Sequence, residues 1–407
     1  MEKVLIRPFD SMASVTPSDE GYRIFREYYP KVTSWDLLKA AIRLHLLAFK
    51  RSPSLPRVEV ILDAVNQEKL SRARKLLAPE VSYLVHVPDL STERSRIFFN
   101  NMVARGERPV FYQSWGFGIL PGVFREILSL SQGAGDWLGR ALYFTRLRAD
   151  LLHYRDLLRQ TGAKTIITAN EDSWNAPALA VLFRELGVRN INVMHGRVYG
   201  AHQFYDVSAV FGKACFEEVC GLASPETRVV QLPLLPEGGY RNSPRGAARS
   251  KHIIFFDQPA SERVYPKHLR DKVISFLRLL SKKGFEVTLK LHPADPSGSG
   301  GTEGLKCIRI LEETSLGGDH GIAISVCSTV ALEVIPAGIP ILYLNLDGIM
   351  THFTQIRFLA SVAASSLEEA EAILQKLQSA DAYCHYRDLQ QRLMQEEYSS
   401  AQGTISF

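Results

Sequence analysis

The 407-residue sequence is short of cysteine. Its five cysteines (Cys215, Cys220, Cys307, Cys327 and Cys384) form no Cys-x-x-Cys pair and no even set. That excludes a disulfide framework and a cysteine zinc site, and it fits reduced thiols in a cytoplasmic protein. No run approaches about 18 uninterrupted apolar residues, so no membrane span is expected. The opening MEKVLIRPFDS lacks the charged, apolar and small layers of a secretion signal. Charge of one sign is also missing: 48 Lys+Arg against 43 Asp+Glu leaves a net +5. Such an excess suits a protein that meets phosphates or an anionic membrane surface, and it is too small to imply a nucleic-acid partner. The Gly-rich piece at 298–301 has no preceding strand and no following Gly-Lys-Ser/Thr, so it is not a phosphate loop. No Asp-x-Asp stands at a plausible strand end, and no required metal is expected.

What is present is an ordinary globular composition, 46% hydrophobic and 22% charged, in a chain long enough for two domains. Apolar, β-branched runs predict strands over 3–7, 58–62, 81–87, 109–113, 164–169, 191–195 and 209–211. Helical patterns lie between them, over 36–50, 67–77, 136–160 and 176–186. The segment 233–250 is rich in Pro, Gly, Arg and Ser and reads as a linker. Alternation then restarts, with strands expected over 253–257, 285–291, 308–311, 321–326 and 339–345 and helices over 267–283 and 329–337. The tail reads as two helices parted near 380–383. The expected division is an N-terminal Rossmann-like acceptor domain (1–240), a donor domain (251–365) and a helical tail (366–407). This is an α/β architecture of two Rossmann-like halves around a cleft, in which ligands sit beyond the carboxyl ends of the strands.

The strand ends carry the chemistry. Lys290-Leu291-His292-Pro293 closes one strand, and the proline turns the chain away and leaves His292 at the lip of the sheet. An imidazole there serves a phosphate, or else satisfies itself with backbone or water. Ser328 and Thr329 stand between the 321–326 strand and the next helix. Hydroxyls at that place read first as N-caps, and second as an anion site at a helix start. With His292 on a neighbouring predicted strand, the two features bracket one phosphate. Gln258, after strand 253–257, faces the same cleft. In the N-terminal half, strand 164–169 runs into Asn170-Glu171-Asp172-Ser173, and strand 191–194 into His195-Gly196-Arg197. A carboxylate or imidazole at such an end is suited to take a proton from an acceptor hydroxyl. The alternative for Asp172 is the N-cap of the helix that follows.

The Lys-Leu-His-Pro run, the Ser-Thr-x-x-x-Glu run and the Pro-Ala-Gly-Ile-Pro turn together resemble the donor half of metal-independent GT-B glycosyltransferases. The likeness is strongest to those with cytidine-activated donors: bacterial sialyltransferases and polysialyltransferases, Kdo transferases and teichoic-acid glycerophosphate transferases. The resemblance implies that His292, Pro293, Ser328 and Thr329 hold the nucleotide phosphate, with Glu333 near the ribose. It implies that Glu171-Asp172 matches the acceptor-half acid pair, although Ser173 stands where those enzymes carry glycine. It makes His195 a second candidate base, with Arg197 placed to pair with a carboxylate.

Arg7, Asp10, Ser114 and Trp115 are further acceptor-side candidates. Trp35, Leu38, Ile42, Leu46 and Phe49 recur at helical spacing, which reads as a core-facing stripe or, with Lys39, Arg43 and Lys50, as a helix resting on anionic lipid. The expectation is therefore a GT-B transferase moving a sialic-acid-like or Kdo sugar from a CMP donor to a bacterial surface glycan, free or lipid-linked, with no cofactor besides that co-substrate. Its place would be the cytoplasm or the inner membrane face. The alternatives are a UDP-sugar or CDP-polyol transferase, a non-catalytic GT-B-like binder, and a sugar-nucleotide epimerase of the same architecture.

Overall fold

The computed structural model describes residues 22, 25–26, 32–38, 54–64, 67–74, 76–88, 93–111, 136–169, 175–194, 204–234, 250–258, 265–291, 302–308, 321–401 and 405. The first sheet holds six parallel strands: β1 (Val60–Asp63), β2 (Tyr83–His86), β3 (Thr165–Thr168), β4 (Arg189–Val193), β5 (Val207–Phe211) and β6 (Arg228–Leu232), in the order β2-β1-β3-β4-β5-β6. Between them run α1 (Gln67–Arg74), α2 (Glu93–Ala104), α3 (Trp137–Thr161), α4 (Ala176–Glu185) and α5 (Lys213–Leu222). The second sheet holds β7 (His252–Phe256), β8 (Glu286–Lys290), β9 (Lys306–Ile308), β10 (Ile322–Ser325) and β11 (Ile341–Tyr343), all parallel, in the order β11-β10-β7-β8-β9. Its helices are α6 (Lys267–Lys282), α7 (Ala331–Val334), α8 (Leu367–Lys376) and α9 (Ala380–Tyr398).

Local chemistry explains the main elements. β1, β3 and β5 are buried along their whole length, as strands covered on both faces must be. Asp136 caps α3 by accepting the Gly139 N–H at 3.2 Å, and Gly162 ends the helix at φ +66°. Ser366 accepts the Glu369 N–H at 3.1 Å while Glu369 reaches back to the Ser365 N–H at 2.8 Å, so α8 starts on a capping arrangement.

Several sequence expectations are corrected. The chain has a strand at β6 and helices at α2 and α5 where none was expected. Arg228 and Gln231 interrupt β6, and α2 is mixed in polarity, so neither shows a clean period. Of the expected strand 109–113, residues 109–111 are described and form a single bridge, Val110 to His86, while 112–113 lie outside the described residues. The tail divides at 377–379 rather than 380–383, because Leu377 closes α8 and Ser379 opens α9. Trp35 and Leu38 are exposed while Leu37 is buried, so these two members of the expected stripe do not face a core; Ile42, Leu46 and Phe49 lie outside the described residues, as do Lys39, Arg43 and Lys50. The strand at 3–7 and most of the 233–250 linker lie outside the described residues.

The tail is more than an appendage of the second sheet. One buried cluster contains Leu62, Ile167 and Val193 of the first sheet, Ile254, Ala323 and Tyr343 of the second, and Met394 and Tyr398 of α9. Leu234 N–H donates to the Tyr398 carbonyl at 3.2 Å, Gln231 Nε2 to Ser400 Oγ at 2.8 Å, and Tyr398 O–H to the Gln355 carbonyl at 2.6 Å. Glu397 Oε1 accepts the Ala214 N–H at 2.8 Å, which satisfies a free donor in the first turn of α5 from 183 residues away. Gly212 makes this approach possible. It sits at φ +85°, and a Cβ there would lie 2.7 Å from Glu397 Oε1 and 2.8 Å from Tyr398 Cε1. Gly212→Ala is expected to lose about 1–3 kcal/mol from backbone strain alone. Denaturant unfolding of the full chain measures it; an unchanged midpoint would show that the turn relaxes out of both the positive φ and the contact with α9.

Candidate active site

In the second sheet the central strand is β7, flanked by β8 and β10. The order corrects one expectation: the His292 and Ser328-Thr329 strands are not neighbours, because β7 lies between them. At the usual spacing the ends of β8 and β10 are about 10 Å apart. Gln258, half-buried, follows the central strand between them.

The end of β7 is pinned from behind. Asp257 donates its N–H to the Lys290 carbonyl at 3.0 Å, and its carboxylate takes Arg270 Nε at 3.1 and 3.2 Å and Nη2 at 2.5 Å. Both side chains are buried. Around them, burial and the nearby Asp257 carboxylate push the Cys327 thiol up to about 12 and the Tyr265 hydroxyl higher still. Cys327 is therefore a neutral, inert thiol.

The Ser-Thr turn differs from its expectation. Helix α7 has only four residues, Val330 occupies its N-cap position, and no side chain caps it. Ser328 turns inward: its N–H donates to Ser325 Oγ at 3.3 Å, its Oγ accepts the Val330 N–H at 3.3 Å, and its carbonyl takes the Tyr343 hydroxyl. Neither Ser328 nor Thr329 is thus a helix cap, and a single turn carries little dipole. Pro336 and Gly338, the latter at φ +82°, stop the helix early. Ser328 and Thr329 are half-buried, and Glu333 is exposed.

In the first sheet β3 and β4 are paired parallel neighbours, so Glu171-Asp172 and His195 follow adjacent strands. The position before α4 is Asn175, which makes no cap bond and instead gives Nδ2 to Asp150 at 2.6 Å. The alternative that Asp172 caps this helix is not what the cap position shows: Asn175 holds it, and Asp172 lies outside the described residues. Arg7, Asp10, Ser114, Trp115, Glu171, Asp172, His195, Arg197, His292 and Pro293 lie outside the described residues.

Sequence reading missed a buried polar group at the ends of β1 and β2. Asp63 Oδ1 meets His86 Nδ1 at 3.1 Å, His86 Nε2 meets His153 Nε2 at 3.0 Å, and Tyr154 donates to Asp63 Oδ2 at 2.6 Å. Burial and His86 hold the His153 imidazole well below its ordinary 6.5, and burial beside Asp63 pushes the Tyr154 hydroxyl well up. The available signal was the polar last residue of two apolar strands, Val-Ile-Leu-Asp and Tyr-Leu-Val-His.

No family model matches the sequence, and no curated protein is similar to it. Solved structures are similar in fold. S. aureus MnaA in its UDP co-structure is 11% identical, over 82% of this chain and 91% of that one, with a TM-score of 0.52. Sucrose-phosphate synthase from Thermosynechococcus elongatus is 11% identical, over 84% and 95%, with a TM-score of 0.50. With its two all-parallel sheets, the chain has the α/β GT-B fold. Among the described residues no helix is long and apolar enough to cross a membrane.

Proposed function

We propose that this chain is a glycosyltransferase that takes a nucleotide sugar at the ends of β7, β8 and β10 and an acceptor at the ends of β3 and β4. The observation that carries the reading is the GT-B fold with polar, turn-forming segments after these five strands. Three adjacent strand ends spanning about 10 Å suit the length of a nucleotide better than a single phosphate. Gln258 on the central strand would meet base or ribose, His292 and Pro293 one side of the phosphate, and Ser328-Thr329 the other. Glu333 would reach a ribose hydroxyl. Charge grows on the leaving phosphate as the glycosidic bond breaks, and His292 with the Ser-Thr turn would stabilise it. Glu171, Asp172 or His195 would take the acceptor proton. Arg7, Asp10, Ser114, Trp115 and Arg197 would line the acceptor side.

The motif resemblance favours a CMP-linked acidic sugar and a glycan or lipid-linked glycan acceptor, with the chain resting on the inner membrane face to meet the latter. A second reading, a UDP-sugar transferase or epimerase, is favoured by the likeness to a structure holding UDP. A thermal-shift panel separates them. A nucleotide at about one hundred times its Kd adds about 2.7 kcal/mol, a rise of several degrees. CMP is expected to give that rise. A response to UDP alone would replace the donor assignment, product without added acceptor would favour the epimerase, and no response to any nucleotide would overturn the reading.

A further inference from the structure

Strand register places five side chains in one layer of the first sheet: His86 on β2, Asp63 on β1, Thr168 on β3, Asn192 on β4 and Ser208 on β5. All five are polar and all are buried. One step back on the same face the layer is Leu84, Ile61 and Ile166, packed against Tyr154, Leu157 and Leu158 of α3 and Leu179, Leu182 and Phe183 of α4. On β4 the same deeper layer holds Asn190 beside Ile166, itself polar and buried with both amide atoms unpartnered among the described residues. Only on β1, β2 and β3, then, does the polar layer begin at the carboxyl ends; in sequence β3 and β4 lead to Glu171-Asp172 and His195. Thr168 Oγ1 and both amide atoms of Asn192 have no partner among the described residues. A buried polar group in this state calls for a partner, which a functional role or an ordered water supplies.

At its β1–β2 end the layer is complete, and its proton count is constrained. Asp63 accepts Tyr154 O–H on Oδ2, and one hydrogen is shared between Asp63 Oδ1 and His86 Nδ1. The contact between the two Nε2 atoms holds one hydrogen. Two N–H groups cannot face each other at 3.0 Å, so the two rings are never both doubly protonated while the contact lasts. Asp63 on β1 and the Tyr154 ring on α3 lie against the pair, and Tyr154 in turn feels Asp63, Asp150 and Tyr205, with Asp150 held by Asn175.

We propose that Asp63, His86 and His153 are positioning residues for the acceptor end of the first sheet, and that the single hydrogen between the two imidazoles is the pH-sensitive tie of α3 to β2, beside the Tyr154–Asp63 bond and the apolar packing. The role assigned to that end rests on the glycosyltransferase reading; the tie itself does not. Burial keeps His153 neutral in the fold, whereas it charges below 6.5 in the unfolded chain. The unfolded chain therefore binds more protons in that window, and stability is held above 6.5 and lost as pH falls below it.

The test uses the full chain and His153→Gln, whose amide N–H can still donate to His86 but does not titrate. Imidazole 15N spectra of the wild type are expected to show a coupling between the two Nε2 atoms near pH 7.5 that vanishes on acidification, with the unfolding midpoint falling between about pH 7.5 and 5.5. His153→Gln should keep the midpoint at the upper pH and flatten the fall; His153→Leu should lower the midpoint throughout. In turnover of whichever nucleotide sugar proves active, His153→Gln should shift the acid limb of the pH profile. Identical acid limbs in wild type and His153→Gln would overturn the positioning role. An absent coupling, or equal pH dependence of the unfolding midpoints, would overturn the tie. If no nucleotide sugar is turned over, the glycosyltransferase reading and the role resting on it fail, while the spectra and midpoints still decide the tie.

Discussion

Arg270→Met is expected to destabilise the chain by about 3–5 kcal/mol. Asp257 is 2% exposed and Arg270 9% exposed, and Arg270 is the partner that neutralises the Asp257 carboxylate. Removing the guanidinium leaves a carboxylate buried behind the central strand, and desolvation makes that the dominant effect. The lost attraction matters less. The distinction is testable, because the double variant Asp257→Leu/Arg270→Met removes both charges and is expected to recover most of the loss. Urea unfolding of the wild type and the two variants measures it. A double variant no better than the single would mean that the ion pair, and not the stranded charge, holds the end of β7. Either variant also bears on the proposed donor site, since Gln258 is the residue after Asp257.

The second large effect concerns the acceptor base. Glu171→Gln, Asp172→Asn and His195→Gln, made singly, are expected to separate cleanly: the true base loses about 10²–10⁴-fold in turnover, and the other two fall far less. The base must be unprotonated to act, so the wild-type rate falls on the acid side of its pKa and the variant loses that limb. A carboxylate base places the limb about two units below an imidazole base, so the profile identifies the kind of residue independently of the rate. Three small, equal losses would remove general-base catalysis from these strand ends. β3 and β4 being neighbours is what makes the comparison necessary, since both segments leave the sheet side by side.

The strands that carry the argument were legible because their signal is local. Val60–Asp63, Thr165–Thr168, His252–Phe256 and Ile322–Ser325 are short apolar runs that stay buried on both faces. β6 was not legible, because its Arg228 and Gln231 are tolerated only beside β5 and the tail residue Ser400. The capping role suggested by the Ser328 and Thr329 hydroxyls was not legible for a related reason: Val330 holds the N-cap position of α7, and Pro336 and Gly338 leave that helix a single turn.

By itself, then, the sequence determined the alternation of strands and helices, the two-sheet organisation, and the identity of the polar residues that follow each strand. Tertiary structure alone decided three further things. Strand order put β7 between the His292 and Ser328 strands and so widened the proposed donor site. Packing of α3 on β1 and β2 joined Asp63, His86 and His153, which are up to 90 residues apart. The return of α9 brought Glu397 to Ala214 across the chain. Periodicity and turn chemistry act over a few residues, whereas each of these depends on which distant surfaces share a core, and no local pattern encodes that choice.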